Sequence, residues 1–452
     1  MELSLLISAV IFVATYAAII SGRVQRSVAA MVGAVLMVVA GLYFGFYTEA
    51  EVIEEAIDWN TIGLLLGMML IVGVLEDTGL FETLSVGVAK LSKGRYFYML
   101  VLFGLLTAVS STTVDNVTTI LLVTPITLSI CSELGVDPRP ILLVEVLFSN
   151  IGGVATLVGD PPNVMISGAD PSYLGVPAGG FSYMDFICNL APTVIVCVVS
   201  SVIAFKFLFA EKAQRENSKI RQKSLESLLE RDPTNEVKDW TLLKKSLSVL
   251  FFVILLFVVH HELGLMPASV ALIGAALILL LTRPDVERIV SRVKWTTLLF
   301  FAGLFVIVHG VSETGLLTEV ASVVMNLTSE SLLLSALAIL FVAAFGSAIV
   351  DNIPFTAVMI KVVGGMSNQI GIESGIFWWA LALGAGFGGN GTYIGSSAGV
   401  IAVKISEDHG SSISFKYWLK YGAVIMLITA GVAALMLTLQ ITTTSDIPLL
   451  PG

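Results

Sequence analysis

The chain has 452 residues, of which 56% are hydrophobic and only 13% are charged, and its mean hydropathy is +0.93. Soluble domains carry about 25% charged residues, so the composition excludes a soluble protein and indicates an integral membrane protein. The net charge of −10 gives no evidence for a nucleic-acid partner. Cys131, Cys188 and Cys197 are scattered, and we expect them to be small buried hydrophobic residues.

Apolar runs long enough to cross about 30 Å of hydrocarbon predict the membrane-spanning helices. The first run follows Met1-Glu2 without a basic segment, so we expect a retained span rather than a cleaved signal. Two stretches are interrupted by polar motifs, at 96–130 and 332–363, and two spans are broken by glycine or proline, at 141–167 and 376–404. The uninterrupted spans are predicted at about 5–20, 28–47, 61–75, 187–209, 247–260, 265–281, 296–311 and 417–437.

The second half of the chain repeats the first. Asp115 and Asp351 are 236 positions apart, and the same spacing separates Trp59 from Trp295 and many other matching residues. One register held over a hundred residues indicates a duplicated unit. We predict repeat 1 at 1–210, a soluble, charged cytoplasmic linker at 211–245, and repeat 2 at 246–452.

The basic residues predict the orientation of the spans. If each interrupted stretch is a re-entrant hairpin and each broken helix crosses once, every Lys and Arg except Lys361 lies on the cytoplasmic side. This arrangement has about ten transmembrane helices, places both termini outside the cytoplasm, and fits a multi-pass protein of the cell membrane. The spans at 61–75 and 296–311 then run in opposite directions. Inverted repeats of this kind are typical of secondary transporters, whose site lies near the midplane where the repeats meet.

Both repeats place polar residues inside an apolar background, at the hairpin tips and at the breaks of the broken helices. Neutral oxygens of Asn, Thr, Ser and freed carbonyls suit a hard cation such as sodium, and carboxylates inside a membrane mark ion or proton paths. We predict sodium binding through Asp115, Asn116, Asp351 and Asn352. The full set of candidate ion- or substrate-binding residues is Asp115, Asn116, Thr118, Thr119, Thr156, Gly159, Asp160, Asn163, Asp351, Asn352, Thr356, Asn390, Gly391, Thr392, Ser396 and Ser397.

Several of these residues have a purely structural alternative. The two hairpin-tip aspartates could serve only as helix caps, and Asp160 could be a turn residue, since its repeat mate Ser396 lacks the charge. Glu145 has the apolar mate Leu381, so it is either a proton carrier or a structural carboxyl group. His309 is expected to be a hydrogen-bonded packing residue, and Lys361 is expected to extend to the outer surface.

At these motifs the sequence resembles the ion transporter superfamily, which contains arsenite pumps, sodium–proton antiporters of the NhaD type and dicarboxylate–sodium symporters. Asp115-Asn116-Val117-Thr118-Thr119 and Gly159-Asp160-Pro161-Pro162-Asn163 resemble the melanosomal P-protein subfamily most closely. The resemblance covers almost the whole chain. It implies an all-α fold with a scaffold domain and a moving transport domain, an elevator mechanism, and a homodimer. The dicarboxylate symporters carry Ser-Asn-Thr at both tips, where this chain has Asp115-Asn116-Val117 and Asp351-Asn352-Ile353.

The predicted function is cation-coupled secondary active transport of inorganic ions. Sodium–proton exchange is favoured because the motifs carry carboxylates and no basic residue that would hold an anion. Arsenite or antimonite efflux, a sodium-coupled carboxylate symporter and an anion channel remain as alternatives. The chain contains no nucleotide-binding loop, so the energy must come from an ion gradient or a separate ATPase partner. We expect no catalytic centre, no covalent cofactor, and only sodium ions or protons as coupling ions.

Overall fold

The computed structural model describes residues 2–21, 23–169, 171–177, 180–327, 331–370 and 375–444. These residues form helices and connecting loops, with no β-strand among them. Repeat 1 contains α1 (Glu2–Ser21), α2 (Arg26–Phe44), α3 (Glu49–Glu54), α4 (Trp59–Glu76), α5 (Leu80–Leu91), α6 (Tyr96–Ser110), α7 (Asn116–Leu134), α8 (Arg139–Gly153), α9 (Pro161–Ser167) and α10 (Tyr183–Leu208).

The connecting segment contains α11 (Ala210–Asn217), α12 (Gln222–Glu230) and a 3₁₀ turn at Pro233–Glu236. Repeat 2 contains α13 (Trp240–Val259), α14 (Pro267–Thr282), α15 (Val286–Arg292), α16 (Trp295–Glu313), α17 (Leu316–Leu327), α18 (Leu332–Ile349), α19 (Asn352–Ile370), α20 (Ile376–Gly388), a 3₁₀ turn at Tyr393–Gly395, α21 (Ser397–Asp408) and α22 (Phe415–Thr444).

The helices confirm a multi-pass membrane protein. Within the described residues, nine helices are long and apolar enough to cross a bilayer. Three further apolar helices, α6, α14 and α20, are shorter than a full span. Helix α6 is the first arm of the predicted hairpin at 96–130, and α20 is the first part of the predicted broken helix at 376–404. Helix α14 lies at the uninterrupted span predicted at 265–281 and packs along the longer α4.

The two inverted repeats contain equivalent helices in the same order. Helices α4 and α16 begin 236 residues apart, and so do α5 and α17, and α7 and α19. The packing repeats as well, because α4 packs along α14 while its mate α16 packs along α2. The hairpin arm α6 packs on α8, and its mate α18 packs on α20. The packing therefore divides these helices into a group called the long helices, α2, α4, α14 and α16, and a group of hairpins and broken helices, α6–α9 and α18–α21.

The hairpins reverse because an aspartate ends the tip and begins the second arm. The Asp115 carboxylate accepts a hydrogen bond of 3.0 Å from the backbone N–H of Thr118, and Asp351 accepts one of 3.2 Å from the N–H of Ile353. Both aspartates thus satisfy orphan backbone donors at the start of α7 and α19, as N-cap residues do. Their other carboxylate contacts, described below, show that capping is not their only interaction.

Glycine allows each broken helix to press against the backbone of its hairpin. A Cβ atom on Gly159 would lie 2.3 Å from the carbonyl oxygen of Ser111, and one on its mate Gly395 would lie 2.7 Å from the carbonyl oxygen of Ser347. No side chain fits at these distances. The breaks at Gly159 and Gly395 are therefore fixed in place against the hairpin tips.

The segment predicted as a soluble linker, 211–245, is largely helical and packs onto repeat 1. The backbone N–H of Arg221 donates to the carbonyl of Leu134 at the end of α7. The Glu216 carboxylate is buried and accepts from the backbone N–H of Asp137. Span α13 already begins at Trp240, inside the range predicted for the linker.

Candidate functional site

A cluster of fully buried amide and carboxyl groups lies where the two hairpin tips meet the first broken helix. The Asp160 side chain has no exposed surface. Its carboxylate accepts hydrogen bonds from the amide of Asn116 at 3.1 Å and from the amide of Asn352 at 3.3 and 3.4 Å. Asn116 and Asn352 occupy equivalent positions in the two hairpins, so one carboxylate joins both repeats.

The cluster extends through a second pair of asparagines. Asn150 accepts from Asn116 at 3.2 Å and donates to Asn390 at 2.9 Å and to Ser396 at 3.2 Å. Each of these side chains is buried. Asn150 was not among the predicted site residues, because it lies within the apolar run of α8 and only these long-range contacts connect it to the motifs.

Asn150 and Asn390 lie at positions where the two repeats carry different residues. The mate of Asn150 is Gly386, and the mate of Asn390 is Val154. A Cβ atom on Gly386 would lie 2.1 Å from Cγ2 of Val154, so the side chain of Val154 fills the space over this glycine. The polar pair and the apolar pair thus occupy equivalent positions, and only one of the two contacts supplies polar atoms to the cluster.

The two hairpin-tip carboxylates lie outside this cluster and are paired with basic residues. Arg26 Nη1 lies 2.5 Å from Asp351 Oδ2, and the hydroxyl of Ser397 donates to the same oxygen at 2.7 Å. Lys294 Nζ lies 3.4 Å from Asp115 Oδ1 and 2.5 Å from the hydroxyl of Thr118. Asp351 is 2% exposed, and Asp115 is 17% exposed.

These pairs correct the expectation that no basic residue approaches the motifs. Arg26 begins α2 and Lys294 precedes α16, and in the sequence both residues indicated only the orientation of the spans. Both line one cavity of about 420 Å³ together with Asp115 and Ser397. Aromatic and aliphatic side chains of the long helices, such as Phe300 and Leu65, form much of its remaining wall.

The other candidate residues mainly tie the breaks to the hairpins through backbone carbonyls. The hydroxyls of Thr156 and Thr392 donate to the equivalent carbonyls of Thr112 and Ala348, each at 2.6 Å. Asn163 donates to two carbonyls of the first break. Two more candidates, Thr119 and Thr356, donate to carbonyls of their own hairpins. A Cβ atom on Gly391 would lie 2.6 Å from Sδ of Met426 and 2.7 Å from Cβ of Ala348, so this glycine is closely packed.

Glu145 lies on α8, apart from the buried cluster and from the two ion pairs, and it faces α7, the second arm of the first hairpin. The side chain is fully buried, and its carboxylate accepts from the hydroxyls of Thr127 at 2.5 Å and Thr124 at 3.0 Å. The hydroxyl of Thr107 donates to the backbone carbonyl of Glu145. A carboxyl group held by two hydroxyls is satisfied locally, and it has no hydrogen-bonded route to Asp160 among these contacts.

A second, smaller cavity of about 220 Å³ lies at the opposite end of the long helices. Its lining includes Asp58, His309 and Lys361. The ring of His309 stacks on that of Tyr47 at 5.5 Å, in a packing role, and the ammonium of Lys361 lies 6.0 Å from the ring of Tyr173. Lys361, which was predicted to extend to the outer surface, is partly buried and lines this cavity.

The protein-family profile CitMHS, described as a citrate transporter, matches residues 16–384. The chain belongs to the CitMHS citrate transporter family. An uncharacterized transporter of Mycobacterium tuberculosis is 36% identical over 439 residues, which cover 96% of this chain and 98% of the relative. The family and these relatives are transporters, so the chain is a membrane transporter and not an enzyme.

The human P protein is a further relative in sequence, and a solved bacterial structure has a similar fold. The human P protein is 34% identical over 501 residues, which cover 95% of this chain and 59% of the P protein. The crystal structure of the Alcanivorax borkumensis YdaH transporter aligns with a TM-score of 0.59 and 17% identity, over 89% of each chain. The low identity restricts that comparison to the fold. The predicted resemblance to the ion transporter superfamily and its P-protein subfamily is confirmed.

Proposed function

We propose that this CitMHS-family transporter is a cation-coupled secondary transporter that exchanges sodium ions for protons. The observation that supports this proposal most directly is the burial of Asp160 without a basic partner among the described residues. Its carboxylate is fully buried, and none of the ion pairs formed by the described residues includes it. A charge in such a place is costly unless a counter-charge neutralises it. A proton or a metal cation on Asp160 supplies that neutralisation, and exchange of one for the other couples the two fluxes.

The groups around Asp160 suit sodium. Asn116 and Asn352 direct their amide groups at the carboxylate, and an amide carries an oxygen acceptor on its other end. Rotating either amide by half a turn would offer a neutral oxygen to a cation beside Asp160. Carboxylate and amide oxygens are preferred ligands of hard cations. The predicted sodium ligands Asn116 and Asn352 thus remain in the proposal, with Asp160 replacing the two hairpin-tip aspartates as the charged ligand.

Alternating access would expose this cluster to each side in turn. The elevator form of the mechanism assigns the hairpins and broken helices to a moving transport domain and the long helices to a fixed scaffold within a dimer. The cavity that contains Arg26 and Lys294 would open to the cytoplasm, because both residues lie at helix starts assigned to that side by the distribution of basic residues.

The test is ion exchange by purified protein in liposomes that contain a pH-sensitive dye. An imposed sodium gradient is expected to drive proton movement in the opposite direction, and Asp160→Asn is expected to abolish it. The matched control is Asp408→Asn, which makes the same chemical change at a 57% exposed carboxylate. Absence of sodium-driven proton flux in the unaltered protein, or full flux in Asp160→Asn, would refute the proposal.

A second candidate is sodium-coupled uptake of a carboxylate anion, and Arg26 and Lys294 favour it. Both cationic groups line the larger cavity, where they would attract an anion if Asp351 and Asp115 released them. The printed description of the family profile, citrate transporter, names a substrate of that class. Citrate-dependent sodium uptake in the same vesicles, without any sodium–proton exchange, would favour this candidate over the first.

A further inference from the structure

Two ion pairs connect the long helices to the tips of both hairpins. Arg26 belongs to α2 and reaches Asp351 in the second hairpin. Lys294 immediately precedes α16 and reaches Asp115 in the first hairpin. Helices α2 and α16 pack on each other, whereas the hairpins pack on the broken helices α8 and α20. Each ion pair therefore joins the group of long helices to the group that the proposed mechanism moves.

Both basic residues lack a basic counterpart in the other repeat. Lys294 is the residue before α16, and the residue before α4 is Asp58, which is 236 positions earlier. Arg26 is the first residue of α2, and Pro267 is the first residue of α14. The positive charges thus occur at one end of the long helices only.

The pairing of α2 with α14 is supported by the packing. A Cβ atom on Gly67 would lie 2.6 Å from the backbone carbon of Ala271, and one on its mate Gly303 would lie 2.9 Å from that of Ala30. Ala30 and Ala271 therefore occupy equivalent places, and counting back along both helices brings Arg26 opposite Pro267.

Alternating access moves one inverted repeat against the other around a fixed site. The alternate state is therefore taken as the one in which each repeat adopts the conformation that the other has here. Each contact between two residues is then replaced by a contact between their two equivalents in the other repeat. The contact of Asp351 with Arg26 becomes a contact of Asp115 with Pro267. The contact of Asp115 with Lys294 becomes a contact of Asp351 with Asp58. In that state one carboxylate loses its counter-charge, and the other lies beside a second acidic residue.

We propose that Arg26 and Lys294 are positioning residues that hold the transporter in the state described here, as tethered counter-ions of the hairpin-tip carboxylates. The inference rests on the alternating access of the proposed function. Removing either cation leaves a largely buried carboxylate unpaired in this state and changes nothing comparable in the alternate one. We expect each removal to shift the ratio of the two states about tenfold, which corresponds to about 1.4 kcal/mol.

A reporter cysteine that is buried now and exposed in the alternate state measures this ratio. Val164 is 1% exposed, and its repeat mate Val400 lines the larger cavity. In a protein whose native cysteines are replaced by alanine, the rate at which a maleimide labels Val164→Cys reports the alternate state. Arg26→Gln and Lys294→Gln are each expected to raise that rate about tenfold, and the double variant about a hundredfold.

The controls separate a specific counter-ion from a general loss of charge or stability. Arg23→Gln removes an exposed charge from the segment just before α2, and it should leave the rate unchanged. Arg26→Lys and Lys294→Arg keep the positive charge and should label at the low rate of the protein with Arg26 and Lys294 intact. Melting temperatures identify any unfolded variant. An unchanged rate in the folded double variant, or an equal increase in Arg23→Gln, would overturn the inference. Labelling requires no transported ion, so failure of sodium–proton exchange alone would refute the proposed function and leave this result standing.

Discussion

The contact between Gly159 and the first hairpin provides a direct test of how the buried cluster is positioned. Alanine at position 159 would place its Cβ 2.3 Å from the carbonyl oxygen of Ser111 and 2.5 Å from that of Gly153. Ordinary contact begins at about 3.4 Å, so the backbone must separate by about 1 Å. Overpacking of this kind costs about 1–3 kcal/mol.

The same displacement reaches the cluster, because Asp160 is the next residue. Its hydrogen bond from Asn116 is 3.1 Å long, and about 1 Å more exceeds the range of a hydrogen bond. Hydrogen bonds to charged groups contribute about 1.5–3 kcal/mol, so Gly159→Ala should slow ion exchange at least about tenfold. Its melting temperature should fall by a few degrees.

The assay compares Gly159→Ala with Gly431→Ala in detergent and in liposomes. A Cβ on Gly431 has no heavy atom within 4 Å, and alanine is the better helix former, so this control should retain transport and stability. If Gly159→Ala matches the control in both melting temperature and flux, the close packing of the broken helix does not position Asp160.

Two further predictions concern buried or paired carboxylates outside the central cluster. Thr127→Val should destabilise the protein by about 1–3 kcal/mol, because the buried Glu145 loses a donor. The triple variant Thr124→Ile, Thr127→Val and Glu145→Leu copies the apolar residues of repeat 2 and should regain that stability in thermal unfolding; a triple variant no more stable than Thr127→Val would contradict this. Burial raises the pKa of Asp137, but hydrogen bonds from Arg139 and Lys212 outweigh it and hold that pKa at about 2. Asp137→Asn should therefore lower the melting temperature at pH 7, and its difference from the unaltered protein should disappear as the pH falls from about 4 to 2; a constant difference would contradict this.

Most of the architecture could be predicted because it depends on hydropathy, glycine and proline, and the repeat. The spacing of 236 residues identified the hairpins, the breaks and the matching helices before any contact was known. The helical structure of 211–245 was missed because its elements are short and charged, and their order depends on packing such as the bond from Arg221 to Leu134. Charge content alone does not separate a solvated segment from one that lies against the protein.

The site could be predicted only in part because it depends on contacts distant in sequence. The tip motifs suggested that Asp115 and Asp351 share one ion site, whereas each carboxylate is paired with a different helix end. Arg26 is 325 positions from Asp351, so no local pattern relates the two. Asp160 was selected as one candidate among sixteen, and only its burial and its two amide donors distinguish it.

The duplication accounts for the shared hairpins, breaks and helix starts, and the positions at which the repeats differ account for the charged residues of the site. Equivalent glycines, threonines and helix starts build the same hairpin and break twice, and they impose no preference between two exchanged conformations. A preference requires unequal residues at equivalent positions. The helix ends provide such unequal residues, because Asp58 is the equivalent of Lys294 and Pro267 is the equivalent of Arg26. Asp160 opposite Ser396 leaves a single carboxylate at the centre, where two symmetric ones would repel each other. A comparison of equivalent positions that differ in charge therefore identifies the residues to change first.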